Sequence, residues 1–151
     1  MHHAKNKNNP VCQNCGFVFY QNPAAGVAAV IIRNKKILLG KRNGSYQGKW
    51  CIPCGHIDWG EDVHDAVKRE LLEETGLIIE PLNVYAVLSN FHNEEQYTVG
   101  IWFMAEEKGG VLQAGDDLKE VSFFCYDDLP ELAFPTDRII LQRLKEDKLI
   151  S

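Results

Sequence analysis

The sequence predicts an α/β/α sandwich, a mixed β-sheet held between helical layers. Three observations carry that reading. The stretch "AAGVAAVIIR", residues 24–33, is an unbroken apolar run, as expected of a strand buried on both faces. Strand-like segments lie on both sides of one amphipathic helix near the middle of the chain. A second amphipathic segment closes the chain, so helices are available to cover both faces of the sheet. At 151 residues the chain suits a single domain with a real core.

The elements follow in order. The opening "MHHAKNKNNP" is polar, and "VCQNCGFVFYQNP" is rich in turn residues. Residues 1–22 are therefore expected to be an N-terminal arm, and residues 23–151 the folded domain. After the first strand, Asn34-Lys35 reads as a turn and "KILLGKR" as a returning strand. "NGSYQGK" is a loop and "WCIP" a short strand. A helix is expected from about Asp62 to Thr75, with Asp62 as N-cap and Gly76 as C-cap. "LNVYAVLSN", "QYTVGIWFMAE" and "EVSFFCY" read as three more strands, with a turn at "EKGG" after the second. "PTDRIILQRLKED" reads as the closing helix, capped by Thr136, with Ile140, Leu141 and Leu144 on one face.

Composition limits function. Sixteen basic residues stand against twenty-one acidic ones, a formal charge of −5, so no bulk attraction to nucleic acid is expected. An acidic protein that handles a phosphorylated substrate needs a cation between the two. No apolar run approaches the ~18 residues that would span a membrane, and the polar N-terminus lacks the apolar core of a signal peptide. A cytoplasmic protein is expected, with a small-molecule substrate and neither membrane nor nucleic acid as partner; a homodimer stays open. Five cysteines, two C-x-x-C pairs and Cys125, suit reduced thiols or a metal better than a disulfide framework.

The middle helix concentrates like charge. Glu70, Glu73 and Glu74 are spaced three and four apart and share a face beside the apolar stripe of Val63, Ala66, Val67 and Leu71. Each such like-charge pair is unfavourable by roughly 0.2–0.5 kcal/mol. A solvated acidic face is one reading of this pattern. Three carboxylates together are also a hard-oxygen site for Mg²⁺ or Mn²⁺, which would remove the repulsion.

The spacing around those glutamates resembles the signature of the Nudix hydrolases, G-x5-E-x7-R-E-U-x-E-E-x-G-U, where U is aliphatic. Gly55, Glu61, Arg69-Glu70-Leu71, Glu73-Glu74 and Gly76-Leu77 match every fixed position. The resemblance implies an α/β/α sandwich and hydrolysis of a diphosphate bond in a nucleoside diphosphate linked to another moiety. It implies Glu70, Glu73 and Glu74 as metal ligands, joined by the backbone carbonyl of Cys54, the residue before Gly55. Glu61 and Arg69 are implied to hold the loop and helix together. The general base varies within the family; "GDDLKE" offers Asp116, Asp117 and Glu120, and Glu120 is the choice made from sequence.

The pair Cys12 and Cys15 is half a zinc knuckle. With "FVFYQNP" it resembles the second half of a zinc ribbon that precedes the catalytic domain in some Nudix hydrolases. His2 and His3 are the other ligands the arm offers for Zn²⁺. The pair reads as a remnant rather than a filled site. Cys51 and Cys125 read as core residues.

Substrate markers conflict. "LLGKRNGSYQGKW" resembles family members acting on nucleoside triphosphates, whereas "DDLPELAFPT" resembles the tail of the ribbon-bearing members. Tyr46, Phe91, Tyr97 and Trp102 are candidates to stack on a base. A nucleoside diphosphate derivative such as ADP-ribose, a dinucleotide or a nucleotide sugar leads. A nucleotide-pool triphosphatase comes second. A non-catalytic ligand sensor and an isopentenyl diphosphate isomerase are weaker, because the signature is intact.

Overall fold

A computed structural model describes residues 9–151. His2, His3 and most of the polar opening lie outside the described residues. The strands are β1 (Ala24–Val30), β2 (Ile32–Arg33), β3 (Lys36–Arg42), β4 (Trp50–Cys51), β5 (Cys54–His56), β6 (Leu77–Asn90), β7 (Thr98–Gly110) and β8 (Leu118–Phe124). The helices are α1 (Val63–Thr75) and α2 (Pro135–Glu146), with a short 3₁₀ turn at Tyr126–Asp128.

One sheet runs β5-β1-β7-β6, with β1 and β7 parallel and the other pairs antiparallel. The second is antiparallel: β3 joins β2, β4 and β8. Strand alternation then assigns each apolar side chain to a layer. Ala28 and Val30 of β1, with Ile37 and Leu39 of β3, pack toward Ile140, Leu141 and Leu144 of α2. Val27, Ala29, Ile31 and Leu38 pack toward Ala66, Val67 and Leu71 of α1. The apolar run of β1 is thus the middle of a sandwich with one helix on each side.

α1 begins and ends where its sequence says it should. The Asp62 carboxylate accepts from His64 N and Asp65 N. Gly76 closes the helix at φ 74°, a left-handed conformation that glycine adopts without steric penalty. The expected turn at residues 107–110 is instead strand, because β6 starts directly after Gly76 and pairs Leu77 with Gly110. A Cβ on Gly110 would lie 2.2 Å from the Gly76 carbonyl, so this close pairing depends on glycine, the residue that looked like a turn former. Thr136 is not the cap of α2. Phe134 holds that position in extended conformation, Pro135 fills the first turn, and Thr136 Oγ1 donates to Asn90 Oδ1 at 2.6 Å.

Ahead of β1 a small hairpin carries the first cysteine pair. Val11 and Val18 bridge, Cys12 N donates to Phe17 O, and Gly16 N donates to Cys12 O at 2.9 Å.

Candidate active site

The loop entering α1 is tied to the helix by Arg69. Its guanidinium makes a two-pronged pair with Glu61, Nε to Oε2 at 2.7 Å and Nη2 to Oε1 at 2.9 Å, and also donates to the His56 carbonyl. The hydrogen bonds from Arg69, with another from Asp58 N, hold the Glu61 carboxyl down at about 2. Arg69 Nη1 then reaches Glu70 at 3.0 Å and Glu73 at 3.2 Å. One cation therefore anchors the loop and partly offsets two carboxylates of the acidic face.

Gly55 lets the strand approach that face. A Cβ there would stand 1.9 Å from the carboxyl carbon of Glu70, so any larger residue would displace that side chain. Glu70 is 9% exposed, and burial raises its pKa, against the pull of Arg69. Glu74 is 2% exposed, and its Oε2 has no hydrogen-bond partner. Burial first, then the neighbouring Cys51 and Glu70, push its carboxyl up to about 9. Glu73 is nearly half exposed and faces outward.

A distant loop completes the cluster. Gln113 N donates to Thr75 O and Gly115 N to Glu74 O, satisfying carbonyls at the end of α1. These bonds bring Asp116 to the helix. Carboxylate oxygens of Glu70, Glu73 and Asp116 all lie within 4.8 Å of one another. Glu120 does not join them. It sits on β8 opposite Lys41, with Oε2 3.1 Å from Lys41 Nζ, because strand pairing places it beside that cation.

The cluster borders a cavity of about 510 Å³. Cys54, Gly55, Glu70, Asp116 and Asp117 line it, and so do Tyr46, His92, Trp102 and Phe134. Tyr46 meets Phe134 edge-on with ring centres 5.2 Å apart, and His92 lies 5.3 Å from Phe134. The Arg42 guanidinium sits 5.1 Å from the Phe134 ring centre. Of the four aromatics proposed from sequence, Tyr46 and Trp102 reach this cavity, and Trp102 is 4% exposed. Phe91 and Tyr97 instead pack edge-on against each other beside a separate groove. Sequence reasoning missed His92 and Phe134; the "FP" that starts α2 was the signal available for the latter.

The residues present fit a divalent cation. Three carboxylates converge, a fourth is buried with an unpartnered oxygen, and Arg69 supplies too little charge for all of them. Hard oxygen donors of this kind suit hard divalent cations better than softer ions. Fold and site together set an acidic helix able to hold a divalent cation beside a cavity at the edge of a mixed-sheet sandwich.

The chain belongs to the NUDIX domain family, whose model matches residues 22–144. It is a Nudix hydrolase. It is 41% identical over 123 residues to an ADP-ribose pyrophosphatase of Methanocaldococcus jannaschii, covering 80% of this chain and 73% of that one. It is 28% identical over 141 residues to the NAD-capped RNA hydrolase NudC of Pectobacterium carotovorum, covering 93% of this chain and 52% of that protein. The chain thus spans about half the length of that relative. A NUDIX hydrolase structure from Nitrosomonas europaea superposes with TM-score 0.78 at 30% identity, covering 91% of this chain and 78% of that one. An ADP-ribose pyrophosphatase structure from Streptococcus suis gives 0.71 at 29% identity, covering 84% and 93%. Among the described residues no helix is long and apolar enough to cross a membrane.

Proposed function

We propose that this protein hydrolyses the diphosphate of a nucleoside diphosphate linked to another moiety, with ADP-ribose as the leading substrate. The observation that carries the proposal is the Glu70–Glu73–Asp116 cluster, of which Glu70 and Asp116 line a cavity that Tyr46, His92 and Phe134 also line. Carboxylates suit a metal-bridged diphosphate, and aromatic faces suit a base. The 41% identical relative named as an ADP-ribose pyrophosphatase supports the choice of substrate.

Mg²⁺ or Mn²⁺ would be held by Glu70, Glu73 and Glu74, with the Cys54 carbonyl and Asp116. Bound there, the cation would neutralise the diphosphate and polarise phosphorus toward attack. Arg69, Glu61, Gly55 and Gly76 keep the loop and helix in register. Water attacks one phosphorus, the bridging P–O bond breaks, and AMP and ribose 5-phosphate leave. Asp116 and Asp117 line the cavity and are better placed than Glu120 to accept the water's proton. The reading assigns catalysis to residues 23–151 and none to residues 1–22. A cytoplasmic setting, where thiols stay reduced, fits the five free cysteines.

Incubating the purified protein with Mg²⁺ and a panel of ADP-ribose, dinucleotides, nucleotide sugars and nucleoside triphosphates tests this, with products resolved by chromatography. AMP and ribose 5-phosphate from ADP-ribose are expected. Preferential release of pyrophosphate from a triphosphate would replace the substrate class. No turnover of any nucleotide would overturn the reading.

A further inference from the structure

Outside the catalytic cavity, the hairpin before β1 is the feature the hydrolase does not use. Among the described residues it presents two thiols with no third ligand. Cys12 and Cys15 are both exposed. Gly16, at φ 74°, turns the chain so that its N–H bonds to the Cys12 carbonyl and the Val11–Val18 bridge closes. The loop is therefore already shaped to hold a metal from two corners.

The other two corners are not supplied by the described residues. The cluster of Glu70, Glu73 and Asp116 is their one group of three or more metal-type ligands. Cys51 is buried in the core, Cys54 stands on the cavity wall, and Cys125 donates to Asp128. Structural zinc takes four ligands in a tetrahedron, with Zn–S about 2.3 Å. The same hairpin exposes Val11, Phe17, Phe19 and Tyr20, at 49%, 66%, 59% and 62%. Four large apolar side chains around an open thiol pair favour cover by another surface. A two-fold axis through the metal supplies both needs, since each copy gives two sulfurs and buries the other's aromatic flank.

We propose that Cys12 and Cys15 form half of a four-thiolate zinc site, completed by the same pair from a second copy of this chain. The site is independent of hydrolysis, so its test is too. The full chain is loaded with excess zinc, desalted, and measured for metal content and for mass by light scattering. The expected result is one zinc per two chains in a dimer. Cobalt in place of zinc should show the intense sulfur-to-metal absorption of four thiolates. Cys12→Ser with Cys15→Ser should lose both the bound zinc and the dimer while keeping metal-dependent hydrolysis, which shows that the variant is folded. His2→Ala with His3→Ala should change neither. One zinc per chain in a monomer, lost on changing the histidines, would overturn the proposal in favour of closure within one chain. Absence of any zinc that depends on Cys12 and Cys15 would overturn it outright.

Discussion

α1 and α2 each press an apolar face onto the sheet from opposite sides, and each buries a carboxylate. On α2, Asp137 is 3% exposed and accepts the Ile52 amide at 2.9 Å. Thr136 beside it is bonded to Asn90. On α1, Glu74 is equally buried, yet Oε2 has no partner, and Glu70 is crowded next to it. A buried carboxylate that accepts from the backbone fastens one element to another. A buried carboxylate left unpartnered is unfavourable on its own and makes sense when a ligand completes it. The two helices look alike in apolar patterning, and this difference separates scaffold from site.

The largest break in the comparison should come in activity. Glu73→Gln or Glu74→Gln should lower turnover by roughly 10²–10³, the usual consequence of removing one stabiliser of transition-state charge. Circular dichroism should show the fold intact. Near-normal turnover in either variant, or in EDTA, would remove the metal from the account.

Stability should move in opposite directions on the two helices. In metal-free protein near pH 8, Glu74→Gln should raise the melting temperature, because the buried Glu74 carboxyl must take up a proton on folding at that pH and glutamine need not. Asp137→Ala should lower it, because the Ile52 amide loses its acceptor, at a cost of about 1–3 kcal/mol. Shifts of the same sign in both variants would mean that the two carboxylates play one structural role.

A smaller effect is expected from pH. Burial raises Asp137 to about 7 and Glu74 to about 9, both above their ordinary values. The folded protein thus keeps protons that the unfolded chain releases. Stability from that difference is fully present near pH 4 and is lost as pH rises through 7 and then 9. Thermal unfolding of metal-free protein should show this decline. Mg²⁺ should restore more at pH 8 than at pH 6, because cation and proton compete for Glu74. Equal rescue at both values would detach Glu74 from the metal.

The smallest effect should be Cys54→Ala. Its role rests on the backbone carbonyl, and alanine keeps that oxygen, so most activity should survive in a steady-state assay. A loss as deep as that of Glu74→Gln would show that the thiol itself takes part.

Local features of this fold were legible because their causes are local. Asp62 and Gly76 mark the ends of α1 by capping chemistry, and the apolar run of β1 announces a strand with two covered faces. The acidic face followed from helical spacing alone. Asp116 was harder to choose over Glu120, because backbone bonds from Gln113 and Gly115 to the end of α1 bring its loop to the cluster. Those bonds leave no mark in composition. Glu120 sits opposite Lys41 by strand register, which one segment cannot reveal. The aromatic cluster that lines the cavity joins Tyr46, His92 and Phe134 from three separate segments, each ordinary on its own. The glycines at 109 and 110 misled for a physical reason: the flexibility that suits a turn also suits a strand pressed against Gly76.

Calorimetric titration of Mn²⁺ into metal-free protein at pH 7, repeated in buffers of different ionisation heat, tests the central claim most directly. With its pKa near 9, Glu74 holds a proton at this pH, and a cation that takes the same oxygen must expel it. The account predicts binding with release of about one proton per ion at this group, and weaker binding with less release in Glu74→Gln. Equal affinity and equal proton release in the two proteins would contradict it.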